Sequence, residues 1–234
     1  MTILTSDPSA DTERTAAAVP RTHGRLQRAW GHFFAVIYEP LMQATEKGGN
    51  AARRAAVLAH ARGTVVELGA GTGLNLSYYP PDVELVLTEP EPPMARRLLG
   101  RLQQSGRQAP VLQAPADRIP LPDSSVDTVV CTLVLCTVPD LDATLTEIRR
   151  LLRPDGQLLF IEHVAAEPGS RLRRWQDRLE RPWRRLAHGC HTNRDTEYAL
   201  RNAGFALAEI HHGQMEAELL LRPLTWGTAN LAAA

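Results

Sequence analysis

Apolar positions change period along the chain, and each change marks an element. Residues 1 to 23 mix Ser, Thr, Ala, Pro and charge with no period, too little apolar surface to offset the entropy of ordering, and are expected to form a flexible tail. From Leu26 the side chains of Trp30, Phe33, Phe34, Ile37, Tyr38 and Leu41 recur at helical spacing, which predicts an amphipathic helix ending near Pro40. A second helix, about 50 to 61, completes a helical cap over 24–62. The period then shortens. Val65 and Val66, Glu84 to Thr88, a short run near Val111, Val126 to Thr132 and Gln157 to His163 read as strands. Helical patterns alternate with them, through Met94, Leu98, Leu99 and Leu102 and from about Leu141 to Leu152, the latter ended by Pro154 and Gly156. Strands and helices alternating at these lengths predict an α/β fold, a parallel sheet with helices on both faces, in one domain over 24–234.

One stretch, 168–190, breaks the alternation. Leu172, Trp175, Leu179, Trp183 and Leu186 share helical spacing, seven arginines lie mostly around the other side, and Pro182 is expected to kink the helix or start a new one. It reads as a helical lid packed on the core with a solvated arginine face; lying on a membrane surface or holding an anionic substrate are the other readings. Thr192 is positioned to cap a helix running to Gly204. Phe205 to Ile210 and Leu219 to Leu221 then read as closing strands of a hairpin.

Composition narrows the partners. Lys plus Arg equals Asp plus Glu at 26 each, so no global field draws in nucleic acid or acidic membrane. Three cysteines, Cys131, Cys136 and Cys190, cannot all pair and show no metal-ligand spacing, which fits a reducing compartment; no metal is expected. Acids at Asp7, Asp11 and Glu13, with no long apolar run, argue against a signal peptide or membrane span, so a cytoplasmic protein is expected.

The candidate chemistry gathers around VVELGAGTGLNLSYYP, from Val65 to Pro80. Val65 and Val66 end in Glu67, then Gly69, Gly71 and Gly73 precede a renewed helix-like pattern: a strand, a tight turn and a helix start whose unpaired N–H groups would face a ligand. In nicotinamide enzymes the third glycine comes three residues after the second, whereas Gly73 follows Gly71 by two. Ligands in open parallel sheets bind beyond the carboxyl ends of the strands. There lie Glu67, then Glu89 with Pro90, placed to take both ribose hydroxyls, then Ala116 and Asp117, placed to meet an adenine, then Thr132 and Leu133.

With the glycine loop, TEPEPPM, IPLPDSSVDTVVCTLVLCTVPD and LRPDGQLLFIEH, the sequence resembles the ubiquinone/menaquinone-type class I S-adenosylmethionine-dependent methyltransferases. VVCTLVLCTV, IEHVAAEPGSRLRRWQ and GCHTNRDTEYALRNAGF are similar to one branch in particular, the methyltransferase-like thiol S-methyltransferases, and the likeness covers about 25 to 225. The resemblance implies a Rossmann-like fold of seven strands, the last antiparallel, and S-adenosylmethionine as methyl donor. It extends the cofactor residues to Ala70, Asn75 and Cys131. The animal members of that branch carry an N-terminal hydrophobic anchor that is not seen here, so membrane contact is not favoured. Pro115 stands where many quinone-type relatives have an acid, leaving Asp117 to take that role or none.

Methyl transfer from a sulfonium needs alignment more than acid or base chemistry. The expected acceptor is a small molecule, most readily a thiol, whose reference pKa of about 8.5 would be helped by one nearby base or cation. A quinone carbon or phospholipid amine is the alternative. His163 after the fifth strand, His191 beside Cys190, and Tyr38, if the N-terminal helix covers the cofactor instead of only packing on the core, are the candidate catalytic side chains. A nicotinamide-dependent oxidoreductase, disfavoured by the glycine spacing, and a non-catalytic cofactor-binding subunit are the competing classes.

Overall fold

A computed structural model describes residues 45–216 and 218–232. The expected tail, the helix over 26–40 and Tyr38 lie outside the described residues. A helical turn at Glu46–Asn50, interrupted at Gly48 and Gly49, leads into α1 (Ala51–Leu58). The chain then runs β1 (Thr64–Leu68), β2 (Glu84–Thr88), α2 (Pro92–Ser105), β3 (Val111–Leu112), β4 (Val126–Thr132), α3 (Leu141–Leu151) and β5 (Leu152–His163). It closes with α4 (Arg171–Leu186), α5 (Thr196–Asn202), β6 (Phe205–Gln214) and β7 (Pro223–Leu231).

The seven strands form one sheet in the order β3-β2-β1-β4-β5-β7-β6. All neighbours from β3 to β5 are parallel, and β7 is antiparallel to both β5 and β6. Side chains alternate across a pleated strand, so each face gets its own core. Val65, Leu85, Leu87, Val130 and Leu159 pack with α1 and α2 on one face, while Val66, Leu68, Val129, Leu158 and Phe160 pack with α3 and Leu200 of α5 on the other. Strands buried on both faces read as continuous apolar runs, which is why Val126 to Thr132 and Glu84 to Thr88 were readable to the residue. The order reverses direction between β1 and β4, which opens a crevice at their carboxyl ends.

Four expectations need correction. After β1, residues 71–78 form a succession of turns, not a regular helix, because Gly71 and Gly73 hold left-handed φ values of 58° and 83° that interrupt a right-handed helix. The last strand is Pro223–Leu231; Leu219 to Leu221 belongs to the turn before it. Asp195, not Thr192, caps α5 by accepting from the Tyr198 N–H, and the Thr192 hydroxyl instead donates to the Gln176 carbonyl at 2.8 Å. Finally, α4 packs on the described core through Trp183, which meets Cys136, Cys190 and Leu221, and not through the whole of its apolar stripe. It runs unbroken through Pro182, its one buried side chain is Gln176, and Trp175 and Leu186 are 54% and 61% exposed. Gln176 explains how the helix is held: its Oε1 accepts from the Ala166 N–H and its Nε2 donates to the carbonyls of Val164 and Leu220. No helix among the described residues is long and apolar enough to cross a membrane.

Candidate active site

At the crevice, four strand ends bring polar side chains into a region the sheet otherwise keeps apolar. Glu67, the fourth residue of β1, is 3% exposed, with Oε1 accepting from Asn75 Nδ2 and Oε2 from the Tyr79 hydroxyl, both at 2.8 Å. Asn75 also donates to Thr132 Oγ1 at 3.0 Å, and its own Oδ1 accepts from Arg54 Nη1 at 2.6 Å. Arg54 in turn pairs with Glu46 at 3.0 Å. A chain of hydrogen bonds thus ties α1, the glycine turn, β1 and the end of β4 together. Burial of the Glu67 carboxyl pushes its pKa up to about 7, against the bonds from Tyr79 and Asn75 and the charge of Arg54.

Glu89, just beyond β2, is 5% exposed and receives the N–H groups of Gly71 and Glu91, each at 2.8 Å. Burial again dominates and raises its pKa to about 7. The amides of the glycine turn are therefore not left unpaired as the sequence suggested. Gly69 N–H donates to the Thr88 hydroxyl, Ala70 N–H to the Thr88 carbonyl, Gly71 N–H to Glu89 and Gly73 N–H to the Ala70 carbonyl. The reason is that β2 ends directly beside the turn and supplies acceptors. A two-bonded carboxylate still has lone pairs for further donors.

A cleft opens here, lined by Arg54, Glu67, Gly69, Ala70, Thr72, Leu74, Asn75 and Thr132. The buried Thr72 hydroxyl in its wall has no hydrogen-bond partner among the described residues. An orphaned hydroxyl and two buried carboxylates that favour the proton-bound form suit a ligand bringing donors and positive charge. S-adenosylmethionine carries a sulfonium, an ammonium and ribose hydroxyls, so the residues present fit it. Leu133, whose N–H donates to the Ile161 carbonyl, holds a left-handed φ of 57°, a strained conformation of the kind found at ligand walls. Cys131 is buried within β4, Pro90 and Asp117 are exposed, and Ala116 packs against the core.

Beyond β4 and β5 lies a second cluster. His163, 2% exposed, points Nε2 at the Cys190 sulfur, 3.0 Å away, and its buried Nδ1 has no partner among the described residues. Cys136 completes the group. The bond from the Cys136 thiol, followed by the His163 ring, holds the Cys190 thiol well below its usual pKa, while burial drives Cys136 up. His191 turns elsewhere: its Nδ1 meets Glu180 of α4 at 2.9 Å, and burial followed by the charge of Arg194 lowers its pKa. Sequence reasoning missed Arg54, Thr72, Tyr79 and the joining of the two cysteines. Tyr79 is inside the quoted glycine-turn segment, but nothing in its spacing marks it as the partner of Glu67.

The family model described as a methyltransferase domain matches residues 66–160. Over 170 residues the chain is 35% identical to the human thiol S-methyltransferase TMT1A, covering 71% of this chain and 70% of that protein. Over 150 residues it is 35% identical to thiol S-methyltransferase TMT1B of Rattus norvegicus, covering 63% of this chain and 62%, under two thirds, of that protein. A solved S-adenosylmethionine-dependent methyltransferase structure from Thermotoga maritima superposes with a TM-score of 0.62 at 19% identity, covering 86% of this chain and 98% of that one, and so supports the fold.

Proposed function

Since the chain belongs to the S-adenosylmethionine-dependent methyltransferases, with the Rossmann-like fold of class I, we propose that its acceptor is a small-molecule thiol and its product a methyl thioether. Bound S-adenosylmethionine supplies an electrophilic methyl group on a sulfonium. In this reading the glycine turn with Ala70 and Asn75 carries its methionine part, Glu89 beside Pro90 takes its ribose, and Ala116 with Asp117 flanks its adenine. Cys131, Thr132 and Leu133 form the wall next to the sulfonium. The chain's own task is then to hold the acceptor sulfur in line with that methyl and to favour its thiolate form.

One observation carries the choice of a thiol: His163 at the end of β5 and Cys190 after α4 meet Cys136, which stands on the loop four residues after Thr132. That loop is fixed by the Glu162 carboxylate, which accepts the N–H groups of Val134, Leu135 and Cys136 at 2.8, 2.9 and 3.2 Å. His163, not His191, faces this corner. The sulfur and nitrogen atoms gathered there favour a sulfur acceptor over a carbon one.

A second reading, methylation of a quinone or phospholipid amine, is kept by the exposed Trp175, Leu179 and Leu186 among the arginines of α4, a face suited to an interface. Labelled S-adenosylmethionine offered with an alkyl thiol, an aromatic thiol, a demethylated quinone or a phosphatidylethanolamine dispersion separates the two. Label in the thiols alone is the expected result. Label in the quinone or lipid and none in the thiols overturns it. We propose a cytoplasmic setting on the same footing, testable by fractionation of the host cell.

A further inference from the structure

We propose that Cys136, His163 and Cys190 form a zinc site whose open fourth position takes the acceptor sulfur. The fourth ligand rests on the thiol reading above; the three protein ligands rest on geometry alone. One ligand-type atom from each residue lies within 4.8 Å of the other two, and all three residues are buried. Tetrahedral zinc, with bonds of about 2.3 Å to sulfur and about 2.0 Å to nitrogen, needs S···S near ~3.8 Å and S···N near ~3.6 Å. The observed 3.0 Å between His163 Nε2 and Cys190 Sγ has to open by only about half an ångström to meet that, while the outer limit of the cluster already spans it.

The loops that carry these atoms are braced by hydrogen bonds, while His163 Nδ1, the ring nitrogen that would not bind metal, has no partner among the described residues. Glu162 caps the loop that carries Cys136. The His191 N–H donates to the Cys136 carbonyl at 2.8 Å, which ties the Cys190 segment directly to the Cys136 loop. Arg194 reaches across to the carbonyls of Leu135 and Val138, placing a cation beside two sulfurs that become thiolates on binding metal. His163 is the terminal residue of β5, held by the sheet.

Ligand chemistry selects the ion. Two thiolates and an imidazole suit zinc, whereas magnesium and calcium prefer oxygen. Three protein ligands with one free position is the pattern of a reactive site; a purely structural zinc is closed by four. The consequence concerns protonation. When the acceptor thiol enters, its S–H bond breaks, the proton leaves to water, and sulfur takes the position of a metal-bound water as thiolate. In this form His163 is a ligand and not a proton acceptor.

The test uses the full chain, reduced and freed of metal by a chelator, titrated with cobalt(II) as a spectroscopic stand-in. Expected are thiolate-to-cobalt charge-transfer and tetrahedral d–d bands saturating at one cobalt per chain, with the d–d bands shifting on addition of an alkyl thiol. Cys136→Ser and Cys190→Ser should each weaken cobalt binding at least ~10-fold and dim the charge-transfer band, while Cys131→Ala keeps both. Circular dichroism and thermal unfolding verify that each variant is folded. Absence of the thiolate band, its indifference to both serine variants, or a Cys136–Cys190 disulfide in the purified protein overturns the site. Thiol methylation at an equal rate in metal-free and metal-loaded protein overturns the metal's role but leaves the thiol reading standing. Tetrahedral cobalt binding with no thiol methylated overturns the thiol reading, and the fourth-ligand assignment with it.

Discussion

Replacing Glu67 by Gln should make the protein more stable at alkaline pH and a poorer binder of its cofactor. Burial lifts the Glu67 carboxyl from 4.5 to about 7, so the folded state holds a proton that the unfolded state has released. Stability then falls as pH rises from the unfolded value through the folded one, since the folded state binds more protons over that interval. At about 1.4 kcal/mol per pKa unit, the loss between about pH 5 and about pH 8.5 is about 2 to 3 kcal/mol. Glu67→Gln removes this titration. Glutamine is nearly isosteric with the protonated acid, and the Tyr79 hydroxyl can rotate to accept from the new amide, so near pH 5 the two proteins should differ by no more than about 1 kcal/mol. Urea unfolding of both proteins at the two pH values gives the difference directly. Glu89 and Glu162, whose pKa values burial also raises, titrate in both proteins and largely cancel. Growth of the stability gap by about 2 to 3 kcal/mol toward alkaline pH is the expected outcome. A gap that stays constant with pH would refute the claim that Glu67 titrates as a buried acid with a raised pKa.

Other perturbations probe the rest of the site. Glu89→Ala and Gly71→Leu should each weaken S-adenosylmethionine binding by at least ~10-fold in calorimetry, since both disturb the joint between the glycine turn and β2; unchanged affinity in both would refute the cofactor assignment. Because Glu67 and Glu89 titrate near neutrality, a cationic ligand with hydroxyl donors should favour their ionised forms and release protons on binding at about pH 7, seen as a buffer-dependent binding enthalpy. Gln176→Leu strands the Ala166 N–H and the carbonyls of Val164 and Leu220, so a loss of about 3 kcal/mol and new proteolytic cleavage near α4 are expected. Gly227→Ala drives a methyl group into the Glu209 carbonyl opposite the β6 bulge and should destabilise the hairpin by at least about 3 kcal/mol in denaturant unfolding.

Where an element's identity depends on its own side chains, the sequence was a good guide, and where it depends on neighbours it was not. β2 and β4 are buried on both faces and announce themselves as apolar runs. β7 contains Pro223, Gly227 and Asn230, and a three-leucine run just before it looks more strand-like. Yet β7 is hydrogen-bonded on both sides, to β5 and β6, and that pairing outweighs its composition, while Leu219 is left 78% exposed in the turn. The same distinction explains α4. Its apolar spacing predicts a buried stripe, but the helix is held by the hydrogen-bonded Gln176 and by Trp183, which leaves Trp175 and Leu186 exposed.

Within the site the division is sharper still, and it follows the topology. The proposed cofactor site rests on a glycine turn and on acids one residue either side of a strand end, all local in sequence, so Glu67, Glu89 and the glycines could be named in advance. Arg54 and Tyr79 could not, because what brings each to the site is a bond to Asn75 or Glu67 that no local spacing marks. The sulfur cluster is the extreme case: Cys136, His163 and Cys190 are 27 residues apart in each interval, far outside the spacing of local metal motifs, and only the shared end of β4 and β5 with the segment after α4 unites them. In the proposed reading the crevice between β1 and β4 separates two tasks, with the methionine part and ribose of the donor held on the β1–β2 side and the acceptor handled beyond β4 and β5. If that separation holds, Glu89→Ala should lose the same cofactor affinity in the Cys190→Ser background as in the unchanged protein, because the two sites share no direct contact; Asn75→Ala combined with a change at Thr132 should not be additive, because those two side chains bond to each other across the crevice.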